Sequence, residues 1–334
     1  MVRKILVHHN GALGDVLLSL SALQALKEQN FRIHLAGRQD VADLLREFGF
    51  ISAGLRSDDP LFLSLYTDKA DSAMTEFMSG FDGIYIFTRE VNSEFARNVR
   101  SLFTDAHIVR TVPPGHLRMQ VADYRLNQIC PGAGIAHYPL LQVPSSHRRT
   151  AEAMLQRSGH DFRRPLIAIH PGSGSPKKCW PIERFSEVMN NIRAGIDCVF
   201  VLFSGPAEEG DLAAEIEDCR KGLGKDCLHI SGAGLCTVAS LLRLCDLYIG
   251  NDSGITHLAS SVMTGRVIAI FGPTDPVLWA PKSVRRLVIS SGAECSPCED
   301  ADSSNSHRNI PGCGTKCLWD IPADRILPQV KSAL

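Results

Sequence analysis

A short apolar run that stops at a glycine-bearing polar turn and then opens a helical pattern is the feature that most restricts how this chain can fold. Ile5-Leu6-Val7-His8 is the first such run. His9-Asn10-Gly11-Ala12-Leu13-Gly14-Asp15 follows, and Val16, Leu17, Leu20, Leu23 and Leu26 recur at helical spacing. Further strand-like runs lie at Ile33-His34-Leu35, Gly83-Ile84-Tyr85-Ile86-Phe87 and His107-Ile108-Val109, with helical stretches between. The pattern starts afresh at Leu166-Ile167-Ala168-Ile169-His170. It continues through residues 198–203, Leu247-Tyr248-Ile249 and Val267-Ile268-Ala269-Ile270-Phe271. Alternation of this kind predicts an α/β fold built on mostly parallel sheets covered by helices. Ligands of such sheets bind beyond the carboxyl ends of the strands, so the informative residues are those in the turns.

With 334 residues the chain is about twice the usual single-domain size, which favours two lobes and a cleft. The polar segment Pro144-Ser145-Ser146-His147-Arg148-Arg149 follows Pro139 and precedes a helix-like stretch at 150–158, and it predicts the inter-lobe linker. The expected lobes are therefore 1–150 and 151–320. Hydrophobic residues at 44% and charged residues at 21% exclude a disordered chain and a coiled coil. A net charge of −1 gives no general attraction to nucleic acid, so an anionic ligand must meet a local cluster of cations and amides. The chain has no run of about 18 apolar residues, and its first residues lead straight into a strand, so a cytoplasmic protein is expected.

Three turns carry the chemistry. In the first, the spacing of Gly11 and Gly14 is G-x-x-G and lacks the dinucleotide fingerprint. Asp15 there is either a first-turn helix residue or a general base presented to an acceptor hydroxyl. The second turn, residues 170–181, reads His-Pro-Gly-Ser-Gly-Ser-Pro-Lys-Lys-Cys-Trp-Pro. Its small residues, hydroxyls and lysines form either a phosphate cradle or a solvated loop, and no Walker ending is present. The third, Gly250-Asn251-Asp252-Ser253-Gly254-Ile255-Thr256-His257, enters a helix whose amides can bind a pyrophosphate. Asp252 would hold a hydroxyl or meet phosphate through a cation. His257 is either a ligand contact or a satisfied core histidine.

Taken together, G-A-L-G-D at 11–15, H-P-G-S-G-S-P-x-K-x-W-P at 170–181, N-D-S-G-x-x-H-L-A at 251–259 and F-G-P-T-D-P at 271–276 resemble glycosyltransferase family nine, the lipopolysaccharide heptosyltransferases. That resemblance implies the GT-B architecture of two Rossmann-like lobes, with the acceptor bound mainly by the first and the nucleotide sugar mainly by the second. It also implies a C-terminal helix at 321–334 that crosses back to the first lobe. By the same resemblance Asp15 is the base and Lys178 the neutraliser of the departing diphosphate. Ser173, Ser175, Asp252, Ser253, Gly254 and His257 would surround the nucleotide sugar, and Glu208, or equally Glu209, would contact the ribose. Gly14 and Arg118 are the candidate acceptor contacts; Arg89, Arg97, Arg118 and Arg125 are either cations that meet phosphate or carboxylate groups of a lipid-linked core sugar or exposed arginines on solvated helices. The implied reaction is inverting transfer of heptose from ADP-heptose to a lipid A-core acceptor, without a catalytic cofactor, with peripheral association at the inner membrane as one option. Another nucleotide sugar, a sugar-nucleotide epimerase and a non-catalytic sugar-nucleotide-binding protein are the alternatives.

Eleven cysteines are many, and most are scattered as buried thiols would be. Cys295, Cys298, Cys313 and Cys317 are spaced C-x2-C-x14-C-x3-C, which fits a structural zinc, a redox-sensitive pair or plain thiols.

Overall fold

A computed structural model describes residues 3–67, 72–208, 210–283, 285–298 and 315–334. The chain divides into two units, Met1–Gln142 and Val143–Leu334. The first contains β1 (Arg3–His9), β2 (Phe31–Gly37), β3 (Ala53–Arg56), β4 (Gly83–Thr88) and β5 (His107–Arg110). They form one parallel sheet in the order β3-β2-β1-β4-β5, with Ile5 in register with Ile33 and Gly83. Strands β1 and β4 are apolar without alternation because helices cover both faces of the sheet. Leu6, Ile84 and Ile86 pack on one face with Phe62, Met74, Met78, Phe81 and Phe95.

The second unit contains β6 (Leu166–His170), β7 (Val199–Ser204), β8 (Cys227–Ser231), β9 (Leu247–Asn251), β10 (Arg266–Phe271) and β11 (Arg286–Ser290). Their order is β11-β10-β9-β6-β7-β8, again parallel. Counted within the unit this is the 3-2-1-4-5-6 order of the Rossmann fold. The reversal of strand order falls between β6 and β9, and in the first unit between β1 and β4. All three chemistry-bearing turns therefore leave strands that flank a switch point.

The division between the units falls earlier than the sequence suggests. The segment at 144–149 is not a linker. Ser145–Arg157 is a helix that turns Ala151 and Leu155 inward, and the division falls before it, at 142/143 instead of 150. Residues 321–334 are grouped with the second unit. Ile321, Ile326 and Val330 are at most 1% exposed there and share a cluster with Trp180, Phe185 and Phe200. Their apolar side chains complete that core, which is the physical reason for the placement.

Candidate functional site

In the first unit Asp15 occupies the first turn of the short helix Leu13–Leu18, directly beyond β1, and Gly14 lies beside it in the same turn. The turn is tight: a Cβ at Gly11 would lie 2.7 Å from the Cβ of Asp15 and 2.8 Å from Cε1 of His9. The Asp15 side chain is 40% exposed, and its Oδ1 is 3.4 Å from Nη2 of Arg125, whose own side chain is completely buried. Arg125, a cation able to meet an acceptor group or else a solvent-facing arginine by its sequence, is instead buried. Its Nε donates to the Thr111 carbonyl at 2.8 Å and its Nη1 to Ser19 Oγ at 2.9 Å and to the Asp15 carbonyl. The sequence carried a signal for this, because Val121, Ala122, Arg125 and Leu126 form the inward face of the helix Val121–Ile129.

His9 completes the arrangement. The Gly11 amide donates to its Nδ1 at 3.2 Å, so that nitrogen is an acceptor and Nε2 carries the proton, 3.0 Å from Ser19 Oγ. Burial, then the nearby Arg125 and His8, hold the His9 pKa well below the usual histidine value. A neutral imidazole is what this hydrogen-bond pattern needs. Arg118 is exposed in the loop between β5 and the helix Val121–Ile129, and Arg89 and Arg97 are exposed as well.

In the second unit the turn after β6 closes on the turn after β9. Asn251 Oδ1 accepts the Trp180 amide at 3.0 Å, and its Nδ2 donates to the Pro171 carbonyl at 2.6 Å. This side chain therefore spans the two turns at the switch point. Ser173 Oγ donates to the Asp252 carbonyl at 2.8 Å, and Lys178 Nζ donates to Asp252 Oδ2 at 2.9 Å. Thr274, from the turn after β10, donates to the same oxygen at 2.7 Å. Lys178, Asp252 and Ser173 are thus brought together, while Ser175 starts the single helical turn Pro176–Lys178 that carries the lysine.

Ser253 caps the helix Gly254–Val262, its Oγ accepting the Thr256 amide at 3.4 Å. The other amides of the first turn have no carbonyl inside the helix to meet, so the helix opens with donors suited to an anion. His257 is 4% exposed on this helix. His170 lies between Ser253 Oγ, 3.3 Å from Nδ1, and Glu208 Oε1, 3.6 Å from Nε2, and burial pushes its pKa down to about 4. Glu208 is buried, its pKa is raised by desolvation, and its Oε2 accepts the Gly205 amide at 2.6 Å. Glu209, the other ribose candidate, lies outside the described residues. Asn251, Thr274, Ser19 and His9 were not singled out from the sequence, although the first two lie inside the quoted motifs.

Cys295 is exposed, and Cys317 is 2% exposed within the apolar cluster of the second unit. Cys313 lies outside the described residues. Among the described residues no group of three or more metal-binding side chains occurs, and no helix is long and apolar enough to cross a membrane.

Two parallel Rossmann-type sheets, each with its chemistry-bearing turns at a switch point, are the parts of the GT-B fold class. The family model described as glycosyltransferase family 9 (heptosyltransferase) matches residues 117–308, and the chain belongs to that family. It is similar to lipooligosaccharide heptosyltransferase 2 of Campylobacter jejuni subsp. jejuni in two strains. In serotype O:6 the identity is 23%, over 98% of both chains. In serotype O:2 it is 27%, over 60% of this chain and 59% of the relative, so that match spans under two thirds of its length. The solved structure of Escherichia coli ADP-heptose lps heptosyltransferase II superimposes with a TM-score of 0.74, 18% identity and 98% coverage of each chain, which shows the shared fold.

Proposed function

We propose that the protein transfers heptose from ADP-heptose to the inner core of lipopolysaccharide, with inversion and with Asp15 as the general base. The observation that carries this reading is the carboxylate of Asp15, part exposed beyond β1 and held from beneath by a buried arginine. The lipopolysaccharide and lipooligosaccharide heptosyltransferases among its relatives support the donor and acceptor classes.

In the proposed step Asp15 takes the proton of the acceptor hydroxyl, and the acceptor oxygen attacks the anomeric carbon as the bond to the diphosphate breaks. A single displacement inverts that carbon. Negative charge developing on the departing ADP is met by Lys178, by the first amides of the helix Gly254–Val262 and by the hydroxyls of Ser173 and Ser175. Asp252 holds the lysine ready, and Glu208 and His257 line the nucleotide side. Gly14 and Arg118 serve the acceptor, a lipid A-core whose lipid brings the protein to the inner face of the inner membrane. None of these steps draws on a catalytic cofactor. A zinc on Cys295, Cys298, Cys313 and Cys317 would be structural, and metal analysis of the purified protein and of Cys295→Ser tests for it.

The decisive assay incubates the protein with ADP-heptose, UDP- or GDP-sugars and a heptose-free lipid A-core acceptor. The expected result is ADP release that depends on the acceptor, with the acceptor gaining one heptose. Turnover of a UDP-sugar in place of ADP-heptose overturns the donor assignment, and donor isomerisation without acceptor shows an epimerase.

A further inference from the structure

We propose that Arg125 is a positioning residue for the transfer: its buried guanidinium fixes the backbone and the carboxylate of Asp15 in the orientation from which the acceptor proton is taken. The proposal rests on the reading of Asp15 as base. Arg125 and Asp15 are 110 positions apart, and the helix Val121–Ile129 delivers the guanidinium beneath the first turn of the helix Leu13–Leu18. That first helix has six residues, too few to hold its own geometry, so what fixes it must come from outside.

The hydrogen-bond arithmetic is closed. Ser19 Oγ accepts from Arg125 Nη1 and from His9 Nε2, and directs its own hydrogen to the Asp15 carbonyl at 3.4 Å. That carbonyl also accepts from Arg125 Nη1. The Asp15 main chain is thereby clamped by two donors while Nη2 faces the carboxylate. A cation this deeply buried requires a counter-charge, and Asp15 supplies it while leaving its side chain part open to solvent. A lysine cannot reproduce this, because a single ammonium cannot reach Thr111, Ser19 and both ends of Asp15 with fork geometry.

The test is steady-state kinetics of Arg125→Met and Arg125→Lys with ADP-heptose and the lipid A-core acceptor, alone and combined with Asp15→Asn. The expected result is a kcat lower by roughly tenfold to a hundredfold with KM for ADP-heptose little changed, since misplacing a reacting group acts on the transition state. Arg125→Lys should show the same kcat loss as Arg125→Met, because one ammonium cannot replace the fork of donors. In the Asp15→Asn background Arg125→Met should cause no further loss. An equal, additive loss there overturns the positioning role. Full activity of Asp15→Asn alone instead overturns the base assignment on which the role depends. If Arg125→Met does not fold, Ser19→Ala removes the shared oxygen but keeps the guanidinium, and an unchanged kcat in that variant also overturns the proposal.

Discussion

Lys178 Nζ lies 2.9 Å from Asp252 Oδ2, an oxygen that also accepts the Thr274 hydroxyl at 2.7 Å, so one carboxylate ties together the turns after β6, β9 and β10. The lysine is thereby fixed at the switch point of the second sheet. Replacing Lys178 by Ala is expected to weaken ADP binding about tenfold or more and to lower turnover on the order of a hundredfold to a thousandfold. Asp252→Ala should lose less, and the two losses should fall short of additive by about 0.5–3 kcal/mol, as contacting residues do. Calorimetric titration of ADP into the four proteins of the cycle measures this, and strict additivity would show that the pair does not act as a unit.

Asp15→Asn keeps the shape of the side chain but removes its basicity. Turnover should fall by about a hundredfold to ten-thousandfold while ADP affinity stays within error of the parent. Paired kinetic and binding measurements separate the two effects. A fall in ADP affinity would place Asp15 in nucleotide binding instead.

Gly172 is required by Glu208, since a Cβ at that position would lie 1.6 Å from Oε1 and 2.2 Å from Cδ of the glutamate. Gly172→Ala should therefore displace Glu208, costing about 1–3 kcal/mol of stability and weakening nucleotide binding. In a Glu208→Ala background the same change should cost far less. Thermal unfolding of the single and double variants is the check, and equal costs in both backgrounds would show that the clash is relieved elsewhere.

His8 lies among apolar rings, with its ring 4.5 Å from Phe95 and 6.0 Å from Phe62. Among the described residues neither of its ring nitrogens has a hydrogen-bond partner. Burial pushes its pKa from 6.5 down to about 4. The unfolded chain therefore binds a proton that the folded chain refuses, and stability falls as pH drops from about 6.5 towards about 4. Between pH 7 and 5 this one group should cost about 2 kcal/mol. Urea unfolding of His8→Phe should show a smaller acid loss for the transition of the first unit; an identical loss would assign the acid sensitivity to other groups.

Strands β1, β2, β4, β5, β6, β7, β9 and β10 are legible as apolar runs. The strands that the sequence conceals, β3, β8 and β11, are all edges of their sheets. An edge strand has one neighbour and is less covered, so Ala53–Arg56 and Arg286–Ser290 mix apolar and polar residues without a clear period. The first turn of the helix Ser145–Arg157 reads as a linker because Ser145, Ser146, Arg148 and Arg149 face solvent, and the helix buries only Ala151 and Leu155. Within the candidate site, turn residues such as Asp15 and Lys178 stand out by composition. For Arg125 the helical period signals only that it faces inward; its partner, 110 positions away, is not encoded locally.

The core of the second unit draws on Leu318, Ile321, Ile326 and Val330, and the Ile321 carbonyl accepts the Trp180 indole N–H at 3.0 Å, next to the lysine turn. All strands of the first sheet, by contrast, have been made by residue 110. During synthesis the first unit is thus free to fold early. Its counterpart must wait, with β6, β7, β9 and β10 already translated, for a stretch made more than forty residues after β10 ends. The nascent chain accordingly passes through a period in which one unit is finished and the other exposes an apolar sheet, and this interval is where chaperone dependence and aggregation should concentrate.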